Sequence, residues 1–524
     1  MKKKIEILDS TLRDGSQGEG ISFSVSDKLK IAGALDKFGV DFIEAGNPYS
    51  NPKDAEFFEQ ASKLHFTTAK LAAFGSTVRK DTAPEDDEGL RALLAAGTKL
   101  VVVFGKTWKL HVDCILGVTP SENLEMIAST IEYLRKNGRN VFFDAEHFFD
   151  GYKSDPDYAL EVLKTAAKAG ASTLVMCDTN GGSFPEDISR AVRDVCKTVK
   201  TPLGIHCHND TGCAAANTIS AVRAGVCHVQ GTFTGIGERC GNAALSTVIP
   251  DLQLKLGYSI VSPERLATLS KTARFINEVT NVRLPASLPY VGKSAFAHKA
   301  GMHADGVAKQ HETYEHIDPE LVGSRRSFLL SEASGRSSVL PRLQVFDGSL
   351  TKSSSETKAV TEKLKELEHA GFQFEAAAAS FELMAMRELG RFTPHFEIDH
   401  YRIISSMDSI DGQKYTEKAN ALVKVRVGDR YEITADEGEG PVNAIDKALR
   451  KALEVFYPEL KKMHLIDFKV RVVTSDDSTA AITRVLIEST DGETTWTTVG
   501  ASRDIINASV IALTDSLEYM LKDK

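Results

Sequence analysis

The chain has 524 residues, a net charge of −9 at neutral pH, 42% hydrophobic residues and 26% charged residues. This composition is typical of a globular protein with several domains, and the absence of a long basic tract argues against nucleic acid as a partner. No run of 18 apolar residues occurs, so we expect no membrane-spanning helix. The seven cysteines form no C-x-x-C pair and follow no secretion signal, which predicts free thiols and a cytoplasmic location.

Residues 1–257 alternate between short strand-like runs and longer amphipathic runs that resemble helices. Eight such pairs in about 255 residues predict a (β/α)₈ TIM barrel within an α/β fold class. The alternative, an open doubly wound sheet, usually carries a glycine-rich nucleotide loop after its first strand, and "STLRDGSQ" lacks that spacing. The predicted strands are residues 4–9, 41–46, 69–75, 99–105, 140–146, 172–178, 203–208 and 226–232.

Polar side chains follow several of these predicted strands at the points where the strands end. In a TIM barrel the carboxyl ends of the strands share one face, where the chemistry takes place. We therefore expect a functional site at this face. The residues in question are Arg13, Asp14, Glu44, Asp144, Glu146, His147, Asp178, Thr179, His206, His208, Glu238, Arg239 and Asn242.

Two histidines stand two positions apart in "GIHCHND", at residues 204–210. Residues i and i+2 of a strand point to the same side, so His206 and His208 can hold one cation together. Strands one, seven and eight adjoin in a closed barrel, which brings Asp14 close, and Asn242 can add a carbonyl oxygen. This donor set suits Mn²⁺, Mg²⁺, Co²⁺ or Zn²⁺. The alternative is that both histidines are structural residues at the barrel rim.

The chain changes character after the barrel. Residues 258–389 contain helical segments, which we interpret as linker subdomains, and the polar stretch 347–358 reads as a flexible link. Residues 390–524 alternate like antiparallel strands. They contain an internal repeat, "GPVNAIDKAL" and "GASRDIINASVIAL", in which Asn443 and Asn507 are equivalent. Two β-rich halves that each end in a helix predict a pseudo-symmetric α/β module.

Three stretches, "DSTLRDGSQ", "GIHCHND" and "GIGERCGN", resemble the signatures of the metal-dependent enzymes that condense an acyl-CoA with a 2-oxo acid. These are the 2-isopropylmalate, homocitrate and citramalate synthases, and the barrel also resembles that of the cleaving hydroxymethylglutaryl-CoA lyases. The resemblance implies that Asp14, His206, His208 and Asn242 hold a divalent metal ion. "DAEHFFDGYK", "CDTNGG" and "PYVGKSAFAHKAGMH" resemble most the citramalate synthases, which join pyruvate to acetyl-CoA in isoleucine biosynthesis.

The same resemblance implies roles for five other residues. Arg13 stabilises charge on the 2-oxo acid, and Thr179 binds its carboxylate. Glu146 is a catalytic acid/base that works with His303, and Tyr314 lies near that histidine. His303 comes from the region after the barrel, which in the family reaches across a dimer.

Structural alternatives remain open for some of these residues. Arg13 can serve only a salt bridge to Glu44, and Thr179 can be the N-cap of the next helix. Cys240 is interpreted as a small filler, although the lyases carry a reactive cysteine in a similar loop.

The C-terminal module resembles the allosteric domain of the isopropylmalate and citramalate synthases, which implies a homodimer or a higher homo-oligomer with isoleucine as effector. A module that only dimerises is the alternative. A different 2-oxo acid and a metal-dependent acyl-CoA lyase also remain open as functions.

Overall fold

A computed structural model describes residues 3–299, 301–328, 336–344, 346–410, 414–473, 481–492 and 494–522. The chain forms two compact units. The first contains the residues up to Phe296 together with Ile317–Arg326, and the second contains Ala297–His316 and the residues from Ser327 onward. The proposed domain boundaries at residues 257 and 389 stay predictions. Within the described residues, no helix is both long and apolar enough to cross a membrane.

The first unit is built on eight parallel strands that close into a barrel, because β1 pairs with both β2 and β8. This confirms the predicted TIM barrel. The strands are β1 (Glu6–Asp9), β2 (Phe42–Glu44), β3 (Lys70–Ser76), β4 (Leu100–Lys106), β5 (Asn140–Glu146), β6 (Thr173–Asp178), β7 (Leu203–Cys207) and β8 (His228–Gly231).

Helices follow the strands around the outside, and their ends carry clear signals. Ser24 and Thr119 each form a capping box at a helix N-terminus. The helices are α1 (Val25–Phe38), α2 (Pro52–Ala61), α3 (Glu88–Ala95), α4 (Lys109–His111), α5 (Pro120–Lys136), α6 (Phe148–Ser154), α7 (Pro156–Ala169), α8 (Pro185–Thr198), α9 (Ala214–Ala224), α10 (Leu245–Pro250), α11 (Pro263–Leu266) and α12 (Leu269–Thr280).

The barrel interior divides into an apolar end and a polar end. A buried apolar cluster fills the amino-terminal end of the strands and is formed by Leu8, Phe42, Ala72, Leu100, Val102 and Phe142. At the carboxyl end the buried side chains are polar, and Asp14, Asp144, His206 and Gln230 are each less than 5% exposed. Buried polar groups are costly unless they are paired, so this end of the barrel is where a functional site belongs.

The second unit begins with helices and ends with two small sheets. Its first elements are β9 (Ala297–His298), α13 (Gly301–Lys309), β10 (Ser327–Phe328), α14 (Arg336–Leu343), α15 (Ser355–His369) and α16 (Ala378–Glu388). The stretch 347–358, predicted as a flexible link, runs into α15. The prediction was wrong for its last four residues, which form the first turn of this helix. The helix is held in place by one buried face, made up of Thr357, Val360, Thr361 and Leu364.

Two antiparallel three-stranded sheets, each followed by a helix, make up the C-terminal module, which confirms the predicted α/β repeat. Asn443 and Asn507, the equivalent residues of the repeat, are each the third residue of their helix. Residues 474–480, part of a predicted strand segment, lie outside the described residues. The elements are β11 (Glu397–Ile410), β12 (Lys414–Val427), β13 (Arg430–Gly438), α17 (Pro441–Leu453), β14 (His464–Val472), β15 (Thr483–Thr490), β16 (Thr495–Ser502) and α18 (Ile505–Leu521).

Candidate metal and active site in the barrel mouth

A cavity of about 380 Å³ opens at the carboxyl end of the barrel strands. Most of the residues predicted for the site meet there, although they are far apart in sequence. The cavity is lined by Arg13, Asp14, Gln17, Asn47, Phe74, Phe104, Asp144, Glu146, Cys177, Thr179, His206, His208 and Glu238.

The side chains of Asp14, His206 and His208 converge at one wall of this cavity, as the H-x-H spacing predicted. The Nε2 atoms of the two histidines lie 3.4 Å apart. They lie 3.5 and 3.6 Å from Oδ2 of Asp14. All three residues are buried.

The donor geometry fits one metal ion. Ligand atoms that each lie about 2.0–2.2 Å from a common ion are separated from one another by roughly 3–3.6 Å. The three observed separations fall in that range. Asp14, His206 and His208 therefore form a candidate metal site. One carboxylate and two imidazoles suit several divalent ions and do not select among them.

The ionisation of Asp14 and His208 suits the binding of a metal ion. Burial opposes ionisation of Asp14, but Arg13 and His206 hold the pKa of its carboxyl well below the usual value. Burial also opposes the charged form of His206, and the hydrogen bond and charge of Asp14 outweigh it and raise the pKa. Burial and the neighbouring His206 lower the pKa of His208 to about 4. At neutral pH the site therefore offers an ionised carboxylate and a neutral imidazole.

Asn242 lies beside Asp14, to which its Nδ2 donates a hydrogen bond of 3.0 Å. Its Oδ1 is buried and has no hydrogen-bond partner within the described part of the chain. The loop leaves room for this amide only because residue 237 is glycine: Gly237 has φ +152°, and a Cβ there would stand 2.2 Å from Nδ2 of Asn242. The unpartnered oxygen is compatible with the predicted metal contact, which stays a prediction.

Arg13 is held on three sides. Its Nε donates to Oε2 of Glu44 at 2.6 Å, and its Nη1 donates to Oδ2 of Asp14 at 3.1 Å. The guanidinium carbon lies 4.0 Å from the ring centroid of Phe74. The salt bridge to Glu44 exists, and Arg13 nevertheless lines the cavity. The guanidinium is therefore fixed in position at the place where an anionic ligand would bind.

Glu146 reaches the cavity from the end of β5 and forms an ion pair with Lys106, at the end of β4. The two residues stand directly opposite each other in the strand register. Because the carboxylate has a fixed partner, it is oriented before any substrate arrives.

Thr179 follows β6, and its Oγ1 accepts a hydrogen bond of 2.8 Å from the backbone N–H of His147. The hydroxyl hydrogen is left to donate into the cavity. The next helix, α8, has Phe184 at its N-cap, so Thr179 is not a helix cap. Arg239 donates to the carbonyl of Thr179 and makes two hydrogen bonds to Asp210. This arginine therefore connects the loops that follow β6, β7 and β8.

His303 and Tyr314 belong to the second compact unit. Their rings are stacked with centroids 4.1 Å apart, and both side chains are exposed. His298 differs, because it is buried and contacts Glu315 at 3.0 Å. The catalytic roles of His303 and Tyr314 stay predictions.

Comparison with known proteins gives three family matches along the chain. The HMGL-like model matches residues 4–276, the homocitrate synthase post-HMGL domain-like model matches 290–371, and the LeuA allosteric (dimerisation) domain model matches 375–521. The (R)-citramalate synthase of Aquifex aeolicus is 49% identical over 526 residues, covering 100% of this chain and 99% of the relative.

The chain belongs to the HMGL-like family. A second relative, the (R)-citramalate synthase of Sulfolobus acidocaldarius, is 44% identical and covers 99% of this chain and 97% of its own length. The probable 2-isopropylmalate synthase of Methanopyrus kandleri is 34% identical, with 98% and 97% covered. These matches confirm the predicted family. The chain is an acyltransferase-type condensing enzyme.

The site also contains residues for which the sequence predicted no role. Phe74 and Phe104 stack with ring centroids 5.2 Å apart and form an apolar part of the cavity wall. Lys106 pairs with Glu146, and Gln230 contacts His206. The contact of Lys106 with Glu146 could have been predicted, because residues at the ends of adjacent parallel strands are neighbours. Gln230 was not, since its contacts depend on how the barrel closes.

Proposed function

We propose that this chain is an (R)-citramalate synthase, which condenses acetyl-CoA with pyruvate to citramalyl-CoA, whose thioester water then hydrolyses to citramalate and CoA. The observation that carries this proposal is the match, over the whole length of the chain, to relatives of that name at 44–49% identity. The matches to probable 2-isopropylmalate synthases are weaker, at 30–34% identity.

The reaction needs two things from the site. A proton must leave the methyl group of the acetyl thioester, and the keto group of pyruvate must be made electrophilic and held in place. A divalent ion held by Asp14, His206, His208 and Asn242 supplies Lewis acidity toward the oxygens of the 2-oxo acid. The protein supplies the remaining steps.

Arg13 stabilises the negative charge that grows on the keto oxygen when the new carbon–carbon bond forms. A preorganised donor in a water-poor site acts strongly on developing charge. Glu44 and the Phe74 ring hold the guanidinium so that it does not have to reorganise during the reaction. The hydroxyl of Thr179, whose oxygen already accepts from His147, donates to the carboxylate of pyruvate.

Glu146 is proposed as the base that removes the methyl proton. A base must reach the proton that it abstracts, and the ion pair with Lys106 holds this carboxylate at the cavity wall. His303 and Tyr314 are proposed to complete the acid/base chemistry, as the family resemblance implies.

The apolar wall formed by Phe74 and Phe104 supports a small 2-oxo acid. Pyruvate presents only a methyl group, whereas 2-oxoisovalerate presents an isopropyl group and 2-oxoglutarate a second carboxylate. The two stacked phenyl rings offer an apolar surface to a methyl group. Arg13 and Lys106 lie 4.0 and 5.5 Å from the centroids of Phe74 and Phe104, so the test with 2-oxoglutarate decides whether a second carboxylate is accepted. Size selection of this kind is worth about 1–3 kcal/mol per methylene.

The C-terminal module is proposed to form a homo-oligomer and to bind isoleucine as a feedback effector. Apolar side chains on β14 support the assembly: Phe468, Val470 and Val472 are 40%, 43% and 58% exposed. These residues lie on an edge strand, and an exposed apolar edge normally requires a partner. The match to the LeuA allosteric (dimerisation) domain model supports the same interpretation.

The proposal is tested by measuring thiol release from acetyl-CoA with pyruvate, 2-oxoisovalerate and 2-oxoglutarate. We expect pyruvate to give the highest kcat/KM, (R)-citramalate to be the product, and chelator to abolish turnover. Isoleucine should inhibit. Preference for a larger acid would indicate a 2-isopropylmalate or homocitrate synthase. Cleavage of a preformed acyl-CoA without condensation would indicate a lyase.

A further inference from the structure

Three buried side chains form a hydrogen-bonded row across the barrel interior behind the candidate metal site. Nε2 of Gln230 donates to Oδ1 of Asp144 at 3.0 Å, and Oε1 of Gln230 lies 3.2 Å from Nδ1 of His206. Gln230 is 0% exposed, and Asp144 and His206 are each 4% exposed. Gln230 is adjacent to His206 in the strand register of β7 and β8, so the row is set by the backbone of the barrel.

The direction of hydrogen-bond donation along this row determines which ring nitrogen of His206 carries the hydrogen atom. The amide nitrogen of Gln230 only donates hydrogen bonds, so Oδ1 of Asp144 accepts its N–H. The amide oxygen then faces His206, and an amide oxygen only accepts. Nδ1 of His206 must therefore carry a hydrogen atom. In a neutral imidazole this leaves Nε2 with a free lone pair.

That free lone pair belongs to the atom that faces the candidate metal site. Nε2 of His206 lies 3.5 Å from Oδ2 of Asp14 and 3.4 Å from Nε2 of His208. The partner of the second ring nitrogen normally sets both the tautomer and the ring orientation of a metal-binding histidine. Among the residues that the structure describes, the buried Nδ1 of His208 makes no hydrogen bond, so His208 shows no such partner there.

We propose that Gln230 is a positioning residue that fixes neutral His206 in the tautomer able to bind the metal, and that Asp144 fixes the orientation of Gln230. His206 is then the prearranged ligand of the site and His208 the adaptable one. The proposal deepens the proposed function, since it concerns the same metal site. Gln230 itself touches neither metal nor substrate.

The first test is the affinity for Mn²⁺ of the parent chain and of two matched variants. Gln230→Met removes the amide while keeping the length of the side chain. Gln253→Met does the same in a glutamine that also makes two hydrogen bonds, both to the backbone of Val261, away from the barrel mouth. We expect the Mn²⁺ dissociation constant to rise about 10–100-fold in Gln230→Met and to stay unchanged in Gln253→Met. Equal affinity of Gln230→Met and the parent would overturn the proposal.

The second test needs no variant of Gln230, so it stands even if Gln230→Met fails to fold. Histidine ¹⁵N spectra of the metal-free parent chain at alkaline pH identify the tautomer, and His206→Asn assigns the signals by their loss. We expect Nδ1 of His206 to be protonated and Nε2 to be bare. The reverse tautomer would contradict the proposal. Failure of the proposed function would look different from failure of this proposal. In that case the chain would bind Mn²⁺ and show the expected tautomer of His206 but would form no citramalate.

Discussion

The charged side chains at the barrel mouth are tolerated away from water because each of them lies beside a side chain of opposite charge. Arg13 stands between Asp14 and Glu44, and Glu146 is paired with Lys106. Removal of one member of a buried pair leaves an uncompensated charge, which costs about 3–5 kcal/mol. A Glu→Gln substitution keeps the shape of the side chain but leaves the partner charge uncompensated, so the stability of each variant must be measured beside its activity.

Glu146→Gln should stop the chemistry while sparing the metal site. The amide keeps the shape of the carboxyl group but cannot accept the methyl proton, so we expect solvent exchange of the acetyl-CoA methyl hydrogens to fall by about 10²-fold or more. Mn²⁺ affinity should stay near the parent value. Glu161→Gln, on the surface of α7, is the control. Near-normal exchange in Glu146→Gln would exclude this residue as the base.

Metal affinity should depend on pH through His206. Its pKa is raised, so a proton occupies the imidazole below that pKa and competes with the ion. The pKa of His208 is lowered to about 4, so this residue stays neutral until strongly acidic pH. Mn²⁺ binding should therefore weaken as pH falls through the raised pKa, with about one proton released per ion. Calorimetry in buffers of different ionisation enthalpy measures this number. Release of no proton, or of two, would contradict the assignment.

Individual elements of the barrel were predictable where a buried strand follows a turn. The β-branched runs gave β4, β5 and β6 within one or two residues of their observed bounds. The short helix α6 was not predicted, because it follows β5 immediately through His147, a residue with φ +54°. Such a left-handed residue leaves no sequence signal unless it is glycine or asparagine. Contacts such as that of Gln230 with His206 depend on barrel closure and lie beyond sequence patterns.

The entry into β3 depends on one carboxylate of α1. Asp36 accepts hydrogen bonds from the backbone N–H groups of Thr67, Thr68 and Ala69 and from the hydroxyl of Thr67. Asp36→Asn replaces one of the two accepting oxygens with an NH2 group, which only donates. Loss of the hydrogen bonds to that oxygen should lower the free energy of unfolding by about 1–3 kcal/mol. The exposed Asp86→Asn is the control, and thermal or urea denaturation is the measurement. Equal stability of the two variants would show that the contact is dispensable.

The stability that Asp36 provides should also be lost in acid. Burial works to raise the pKa of its carboxyl, but the hydrogen bonds from residues 67–69 outweigh burial and lower it. A carboxyl whose folded pKa is depressed stabilises the protein above the unfolded value of about 3.9. The contribution falls as pH drops through the lower, folded pKa. The difference between the parent and Asp36→Asn should therefore be present at neutral pH and shrink at strongly acidic pH.

Assembly is the property of the whole molecule that the C-terminal module is expected to control. Val470→Asp places a charge on the exposed apolar row of β14, whereas Arg471→Asp changes the neighbouring residue, which points to the other face of the strand. We expect the first variant to weaken the proposed self-association and the proposed inhibition by isoleucine, and the second to leave both unchanged. Sedimentation velocity measures the mass. An unchanged mass in Val470→Asp would place the interface elsewhere.

We expect a divalent ion and pyruvate to bind together at the carboxyl end of the barrel strands. Anomalous diffraction from crystals grown with Mn²⁺ and pyruvate tests it directly. We expect one manganese peak bounded by Oδ2 of Asp14 and Nε2 of His206 and His208, with pyruvate between the ion and Arg13. A manganese peak elsewhere, or these three side chains turned away from one another with no ion between them, would contradict it.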